Sequence, residues 1–516
     1  MVSRAPVSEV NAAKVSGTAP EYRASLVSLL DGIVHPLRDL QVTDITQDSR
    51  QATPGSAFIA CPGRTSHGVQ HAPAAVERGA VAVLWEPAPG VEAPSLPPQT
   101  VVLAIPDLSQ RVGQIADRFF REPSAQLQVA GFTGTNGKTT AAYLLAQAAD
   151  AVGRRGSYLG TIGFGRPGAL ATAGLTTPDC VSVHRRLAQS RDAGAKTMSV
   201  EVSSHALDQG RVDGVRFDTA VFTNLTRDHL DYHGTLDAYG AAKAKLFRSP
   251  GLRCAVVNVR DDFGRGLADT LDPALERVLF STSNEIWAPG DCGWIRVPEL
   301  RTTTAGLTVH VETSWGAGTL RSRLVGEFNA ENLLAVLGVL LGWNVPLQQA
   351  LAALAICVAP PGRMEAFGGG RQPLVLVDYA HSPDALAKVL DAARGHARGR
   401  VICVFGCGGD RDPGKRPMMG AIAEGRADVV VVTDDNPRTE DSRSIIEQVL
   451  VGLQHPEAAH VVADRAEAIH LAIAEADAGD VVVIAGKGHE DYQLVGQEVR
   501  PFSDRAVVLD ALGEEA

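Results

Sequence analysis

Residues 126–143 read Gln126-Leu-Gln-Val-Ala-Gly-Phe-Thr-Gly-Thr-Asn-Gly-Lys-Thr-Thr-Ala-Ala-Tyr143. The apolar run 127–132 predicts a buried strand, 133–139 a loop, and the alanine- and leucine-rich stretch beyond it a helix. Strand, glycine loop and helix, in that order, form a phosphate-binding arrangement. Glycines let successive N–H groups converge on phosphate oxygens at a helix N-terminus whose dipole favours negative charge. Gly134, Thr135, Asn136, Gly137, Lys138, Thr139 and Thr140 are therefore candidate ATP contacts. Lys138 would reach the β- and γ-phosphates, and Thr139 would ligate Mg²⁺. The strict phosphate-loop pattern has glycine where Phe132 stands, and Gly131 and Gly134 flank that gap.

A length of 516 residues exceeds one ordinary core and predicts two to four domains. The composition is that of a soluble globular chain, and the net charge of -11 argues against a nucleic-acid partner. The seven cysteines lie without Cys-x-x-Cys spacing, which reads as reduced, cytoplasmic usage without a zinc site. The N-terminus lacks a basic-then-apolar signal pattern. The most apolar stretch, 333–343, is long enough for a buried helix and too short for a membrane span.

Working outward, 1–20 reads as a disordered lead-in, 21–106 as a small α/β domain of short strands, 107–358 as a central domain, and 359–516 as a C-terminal domain. In the central domain, strands and helices alternate after the phosphate loop, which predicts a parallel sheet with helices on both faces. Ligands gather at the carboxyl ends of such strands. Glu201 and His229 each follow a predicted strand there. Glu201 beside Thr139 would make an oxygen-rich Mg²⁺ site, and His229 could hold a second ion, although nitrogen ligands suit magnesium less well. In the C-terminal domain four apolar runs, 374–377, 401–405, 429–432 and 481–484, each end in a polar or glycine loop. This predicts a second doubly wound sheet, Rossmann-like, with its functional loops on one edge.

Taken together, Asp48-Ser-Arg50, Thr133-Gly-Thr-Asn-Gly-Lys-Thr139, Thr176-Thr-Pro178, Glu201-Val-Ser-Ser-His205, Asn224-Leu-Thr-Arg-Asp-His229, Asp378-Tyr-Ala-His381, Asp435-Asn-Pro-Arg438 and Gly486-Lys-Gly-His-Glu490 resemble the Mur ligases of peptidoglycan synthesis. Within that family the chain resembles the members that add the third peptide residue. The resemblance implies three domains that bind, in order, a UDP sugar, ATP and an amino acid. It implies UDP-N-acetylmuramoyl-L-alanyl-D-glutamate as acceptor and meso-diaminopimelate as amine, with ATP and Mg²⁺, in a cytoplasmic monomer.

By the same resemblance, Ser49, Arg64, Thr65 and Ser66 match the uridine side, and Thr176, Thr177, Ser203, Gln209 and Arg211 the muramoyl dipeptide. Asn329 and Asn332 match the adenine side, and Arg363 and Asp378 reach the nucleotide from the third domain. Lys243 aligns with a lysine that the family carbamylates with CO₂, which would support the second magnesium beside His229. The far end of diaminopimelate carries a carboxylate and an ammonium. Arg411, Asp435, Asn436, Pro437, Arg438, Gly486 and Glu490 would bind it, with Arg438 and Arg411 taking the carboxylate and Glu490 pairing with the ammonium. Four alternatives stay open on sequence: a lysine-adding Mur-type ligase, a folylpolyglutamate synthase, a phosphate-loop kinase and a non-catalytic nucleotide-binding regulator.

Overall fold

The computed structural model describes residues 22–63, 66–172, 174–285, 287–303 and 305–514. The expected lead-in 1–20, together with Arg64 and Thr65, lies outside the described residues. Contacts divide the chain into two units. The first is Met1–Gly131, Arg154–Asp218 and Asp237–Leu252, and the second is Phe132–Gly153, Thr219–Leu236 and Arg253–Ala516.

In the first unit the strands Asp44–Thr46, Ser56–Ala60, Ala82–Trp85 and Val101–Ala104 lie side by side in that order, all parallel. Successive side chains of a strand point to opposite faces. Accordingly Ala57, Ile59, Ala82 and Leu84 pack with Leu26, Leu29 and the helix Leu108–Phe119. Phe58, Ala60, Val83 and Trp85 pack on the other side with Ala72 and Ala75 of the helix Ala72–Glu77. Both faces are covered, as expected of a parallel sheet. A second group of strands in this unit pairs Gly156–Gly160 parallel to Thr197–Glu201 and antiparallel to Gly163–Arg166. The helix Cys180–Asp192 leads into Thr197–Glu201, and Asp179 caps it by accepting from the Ser182 N–H at 3.0 Å.

The strand Gln128–Thr133 ends inside the second unit, where the helix Lys138–Ala151 begins. There Thr219–Phe222, Cys254–Asn258, Glu276–Phe280 and Gly293–Thr303 run parallel, neighbour to neighbour. The expectation of an all-parallel sheet needs correction at this edge. Gly293–Thr303, Gly306–Thr313 and Gly316–Ser322 form an antiparallel meander. Leu307, Val309 and Val311 alternate inward, while Gly306 and Gly316, at φ 115° and 118°, make the tight reversals that a side chain would strain. The stretch expected to be a buried helix is one, Phe328–Gly342, with nearly every side chain enclosed.

The C-terminal sheet has the order Glu365–Gly368, Leu374–Asp378, Val481–Ala485, Val401–Phe405, Val429–Val432, His460–Val461. Its first pair is antiparallel and the rest are parallel. The four predicted runs are its four central strands. Because Asp378 and Phe405 both pair with Ala485, and Phe405 with Val432, the four loops that follow start from one edge. No helix among the described residues is long and apolar enough to cross a membrane.

Candidate active site

The phosphate loop is held by a neighbouring loop, 223–226, whose Thr223 the sequence reading passed over and whose Asn224 and Thr226 it quoted in a motif without a role. The Thr223 hydroxyl donates to the Asn136 carbonyl at 2.6 Å, the Asn136 N–H donates to Asn224 Oδ1 at 2.9 Å, and the Thr226 N–H donates to Thr135 Oγ1 at 2.9 Å. Two glycines make this packing possible. A Cβ on Gly134 would lie 1.9 Å from Thr223 Oγ1, and one on Gly137 would lie 2.2 Å from Asn332 Oδ1. Lys138 folds over the loop, its ammonium donating to the carbonyls of Gly134 and Thr135 at 2.9 and 2.8 Å. A cation seated over a glycine-lined helix N-terminus is the chemistry of a polyphosphate cradle.

A cavity of about 1000 Å³ opens from this loop, lined by Asn136, Gly137, Thr140, Asn332, Arg363 and Asp378 among others, a size that suits a nucleotide. Asn329 lies behind it, fully enclosed. Its Oδ1 accepts from Asn332 Nδ2 at 2.8 Å and so orients the side chain that does line the cavity. Arg363 Nε is buried with no hydrogen-bond partner among the described residues, a donor that fits an acceptor supplied by a ligand. The Asp378 carboxylate accepts from the Met364 and Ala380 N–H groups at 2.7 and 2.9 Å. Burial pushes its pKa up, against the nearby Arg363 charge.

In the first unit Glu201 is fully buried at the end of its strand. Its carboxylate accepts from the Tyr158 hydroxyl, from the Thr161 N–H at 2.9 Å and from the Thr161 hydroxyl at 3.1 Å. The dipeptide candidates gather around the same strand end. Thr161 Oγ1 lies 3.0 Å from Thr176 Oγ1, and the Thr177 hydroxyl donates to the Glu201 carbonyl at 2.7 Å. The Ser203 N–H donates to Thr177 Oγ1 at 3.2 Å, and Arg211 donates to the Thr177 carbonyl at 2.9 Å and to Gln209 Oε1. Ser49 opens a short helix capped by Asp48, and the Ser66 carbonyl accepts from the Gly63 N–H.

Lys243 is 1 % exposed on the helix Leu236–Ala244, its Nζ 4.0 Å from the centre of the Tyr239 ring, so it is no solvated surface lysine. His229 is half exposed, takes the left-handed backbone at φ 51° and lies 3.5 Å from Asp228. Of the proposed metal ligands, Glu201 and Lys243 belong to the first unit, and Thr139 and His229 to the second.

The amine candidates meet at the shared edge of the C-terminal sheet. The Asn436 amide nitrogen donates to Glu490 Oε2 at 2.9 Å, and the Gly409 N–H donates to the Asn436 carbonyl at 2.9 Å. Arg438 holds the left-handed conformation at φ 53°, with its guanidinium donating to the Gly409 carbonyl at 2.7 Å. Pro437 packs so closely on Gly409 that a Cβ there would lie 1.8 Å from the Pro437 carbonyl oxygen. The Gly486 N–H donates to the Asp378 carbonyl, linking the Glu490 loop to the strand end that faces the nucleotide cavity. Asp435 is buried, and its Oδ1 has no hydrogen-bond partner among the described residues. Among the described residues Arg411 hydrogen-bonds only to the Asp410 carbonyl, at 3.4 Å. At the centre lies a residue given no role on sequence, Lys487.

A strand-end phosphate cradle that opens into a nucleotide-sized cavity, followed by a second sheet with an ion-rich loop edge, is the layout of an ATP-dependent ligase. Family models agree in chain order: the Mur ligase family catalytic domain over 41–120, the Mur ligase middle domain over 132–340, and the Mur ligase glutamate ligase domain over 362–488. The chain belongs to the Mur ligase family and has its three-domain α/β architecture.

It is 50% identical over 475 residues to the UDP-N-acetylmuramoyl-L-alanyl-D-glutamate–2,6-diaminopimelate ligase of Chromobacterium violaceum, covering 92% of this chain and 94% of that relative. A solved structure of a ligase of the same name is 36% identical, with TM-score 0.70, over 92% of this chain and 95% of that one. The Mycobacterium tuberculosis folylpolyglutamate synthase, solved with ADP and AMPPCP, shares the fold at TM-score 0.54 and 19% identity over 73% of this chain and 92% of that one.

Proposed function

We propose that the chain joins meso-2,6-diaminopimelate to the D-glutamate carboxyl of UDP-N-acetylmuramoyl-L-alanyl-D-glutamate, consuming ATP, in the cytoplasmic synthesis of peptidoglycan precursors. The observation that carries the amine's identity is the single sheet edge that assembles Arg438, Asn436, Asp435 and Glu490. Such a site offers a cation and anions together, complementary to an amine whose far end is zwitterionic. Lysine, lacking the distal carboxylate, would leave the arginine unpaired, and a site built for a polar group rejects an analogue without it by orders of magnitude.

A carboxylate is a poor electrophile, because an amine attacking it would have to expel an oxide. An acceptor oxygen therefore takes the γ-phosphoryl group, ADP departs, and the amine nitrogen attacks the acyl carbon. Phosphate leaves with the electrons of the broken C–O bond, and the proton of the amine passes to solvent. Lys138 and the N–H groups from Gly134 to Thr140 neutralise charge on the phosphates. Asn332, Arg363 and Asp378 hold the nucleotide, with Asn329 behind them. Thr176, Thr177, Ser203, Gln209 and Arg211 orient the dipeptide, and Ser49 and Ser66, with Arg64 and Thr65, the uridine end. Thr139, Glu201 and His229, with Lys243 as its carbamate, would hold Mg²⁺, which would supply further charge neutralisation.

In this reading the chain acts as a monomer, with the UDP substrate on 21–106, ATP on 107–358 and the amino acid on 359–516. Phosphate release by the purified chain with ATP, Mg²⁺ and the UDP-dipeptide, compared with meso-diaminopimelate, L-lysine and no amine, tests it. Release with diaminopimelate alone, with a tripeptide product of matching mass, supports the proposal. Equal release with lysine would overturn the assignment of the amine, and release with neither amine would overturn the ligase.

A further inference from the structure

Lys487 is fully buried, yet it carries no assigned task. Its ammonium donates to Asn436 Oδ1 at 3.0 Å and lies 3.2 Å from Glu490 Oε2 and 3.6 Å from Asp435 Oδ1. Because the lysine and the Leu494 N–H, at 2.9 Å, both donate to Asn436 Oδ1, the Asn436 amide can face only one way. Its Nδ2 is turned onto Glu490 Oε2, 2.9 Å away. Lysine and asparagine thus hold the same carboxylate oxygen, and Glu490 Oε1, without a hydrogen bond among the described residues, is the atom left for a ligand. The neighbouring Arg465 is paired with Asp504, so Asp435, Glu490 and Lys487 leave a single net negative charge, which one incoming ammonium cancels.

We propose that Lys487 is a positioning residue for the distal end of the amine substrate. It fixes Glu490 and Asn436 in one arrangement and neutralises one of the two flanking carboxylates, so that the cluster accepts one ammonium group. This rests on the reading of the edge as the diaminopimelate site. Lys487 touches no reacting atom and acts through Glu490 and Asn436. A residue that only supported the fold would affect all substrates alike, whereas a positioning residue affects one end of one substrate.

Steady-state kinetics of the full chain with meso-diaminopimelate and with 2-aminopimelate, which keeps the distal carboxylate but lacks the distal ammonium, separate these roles. Lys487→Met should raise KM for diaminopimelate at least thirtyfold while KM for ATP stays within threefold. The preference for diaminopimelate over 2-aminopimelate should shrink at least tenfold. An unchanged preference, or equal losses toward ATP and amine, would overturn the proposal.

Should Lys487→Met fail to fold, Glu490→Gln is compared with Lys487→Met/Glu490→Gln. Once the Glu490 carboxylate is gone, the lysine acts only through Asn436 and Asp435, so the double variant should fold and exceed the single in KM for diaminopimelate by less than the thirtyfold expected of Lys487→Met. A double variant that stays unfolded or falls thirtyfold or more behind overturns the proposal. A wild-type chain that releases no phosphate with diaminopimelate sinks the functional reading itself, and the proposal with it, a result distinct from any variant's behaviour.

Discussion

Gly137 and Asn332 meet so closely that a methyl group on the glycine would lie 2.2 Å from the asparagine Oδ1. The phosphate loop and the helix Phe328–Gly342 are thereby set against each other at the mouth of the nucleotide cavity. Gly137 also has φ 85°, a backbone that costs an L side chain about 1–2 kcal/mol. Gly137→Ala should displace Asn332 as well as strain the loop, and kcat/KM for ATP should fall at least a hundredfold. Near-normal ATP kinetics in a folded Gly137→Ala chain would show that the loop does not receive the nucleotide.

Lys138→Ala should abolish phosphate release while the thermal midpoint moves by only a few degrees. The lysine donates to two loop carbonyls, and losing such bonds costs on the order of 1 kcal/mol each. If the loop receives the nucleotide as proposed, removing its cation from beside the transferring phosphoryl group costs far more in the transition state. Circular dichroism and phosphate release on the same preparation check both halves.

Glu201→Gln keeps an acceptor for the Tyr158 hydroxyl and the Thr161 N–H, and its amide can donate to Thr161 Oγ1, which can in turn donate to Thr176. Stability should therefore change by no more than about 1 kcal/mol. The lost negative charge should raise the Mg²⁺ concentration for half-maximal activity at least tenfold. A magnesium titration identical to wild type would remove Glu201 from the metal site.

Arg438→Ala should raise KM for diaminopimelate at least a hundredfold and leave KM for ATP within threefold. Alanine keeps the same left-handed strain at φ 53°, so the change isolates the guanidinium. Equal losses toward both substrates would argue for a disturbed fold instead.

His184 and Asp117, 3.7 Å apart, should give opposed pH dependences. Burial holds the His184 pKa down at about 4 from 6.5, so its stabilising contribution, present above 6.5, is lost as pH falls toward 4. Burial pushes Asp117 up from 3.8 to about 6, so its contribution, present below 3.8, is lost as pH rises through 6. Across the overlap the two offset each other. In Asp117→Asn only the histidine remains, and the urea midpoint relative to wild type, which reports the missing aspartate titration, should fall steadily as pH drops from 6 to 3.8. A pH-independent difference would contradict the assignment.

Local pattern carries far in this chain. Residues 126–143 specify their strand, loop and helix by themselves, because hydrophobic runs and glycine conformations act over a few residues. The C-terminal strands and their shared loop edge follow from the same rhythm, since parallel neighbours with helical crossovers admit few arrangements. Other features depended on register between distant segments. The meander 293–322 escaped the sequence reading because alternation over so few residues does not say which sheet, or which direction, a strand will join. Thr223 became a support of the phosphate loop through a partner 87 positions away.

The sequence by itself determined the phosphate cradle, the parallel strands of the central and C-terminal sheets and the residue types at their edges, because those rest on backbone preference and on burial of apolar runs. Only the tertiary structure decided which charges share an enclosure. Lys487 and Asn436 are 51 residues apart, and nothing local distinguishes this lysine from a solvated one. Sheet register brings the two together, and the cost of leaving a buried ammonium unpaired makes their contact a condition of the fold.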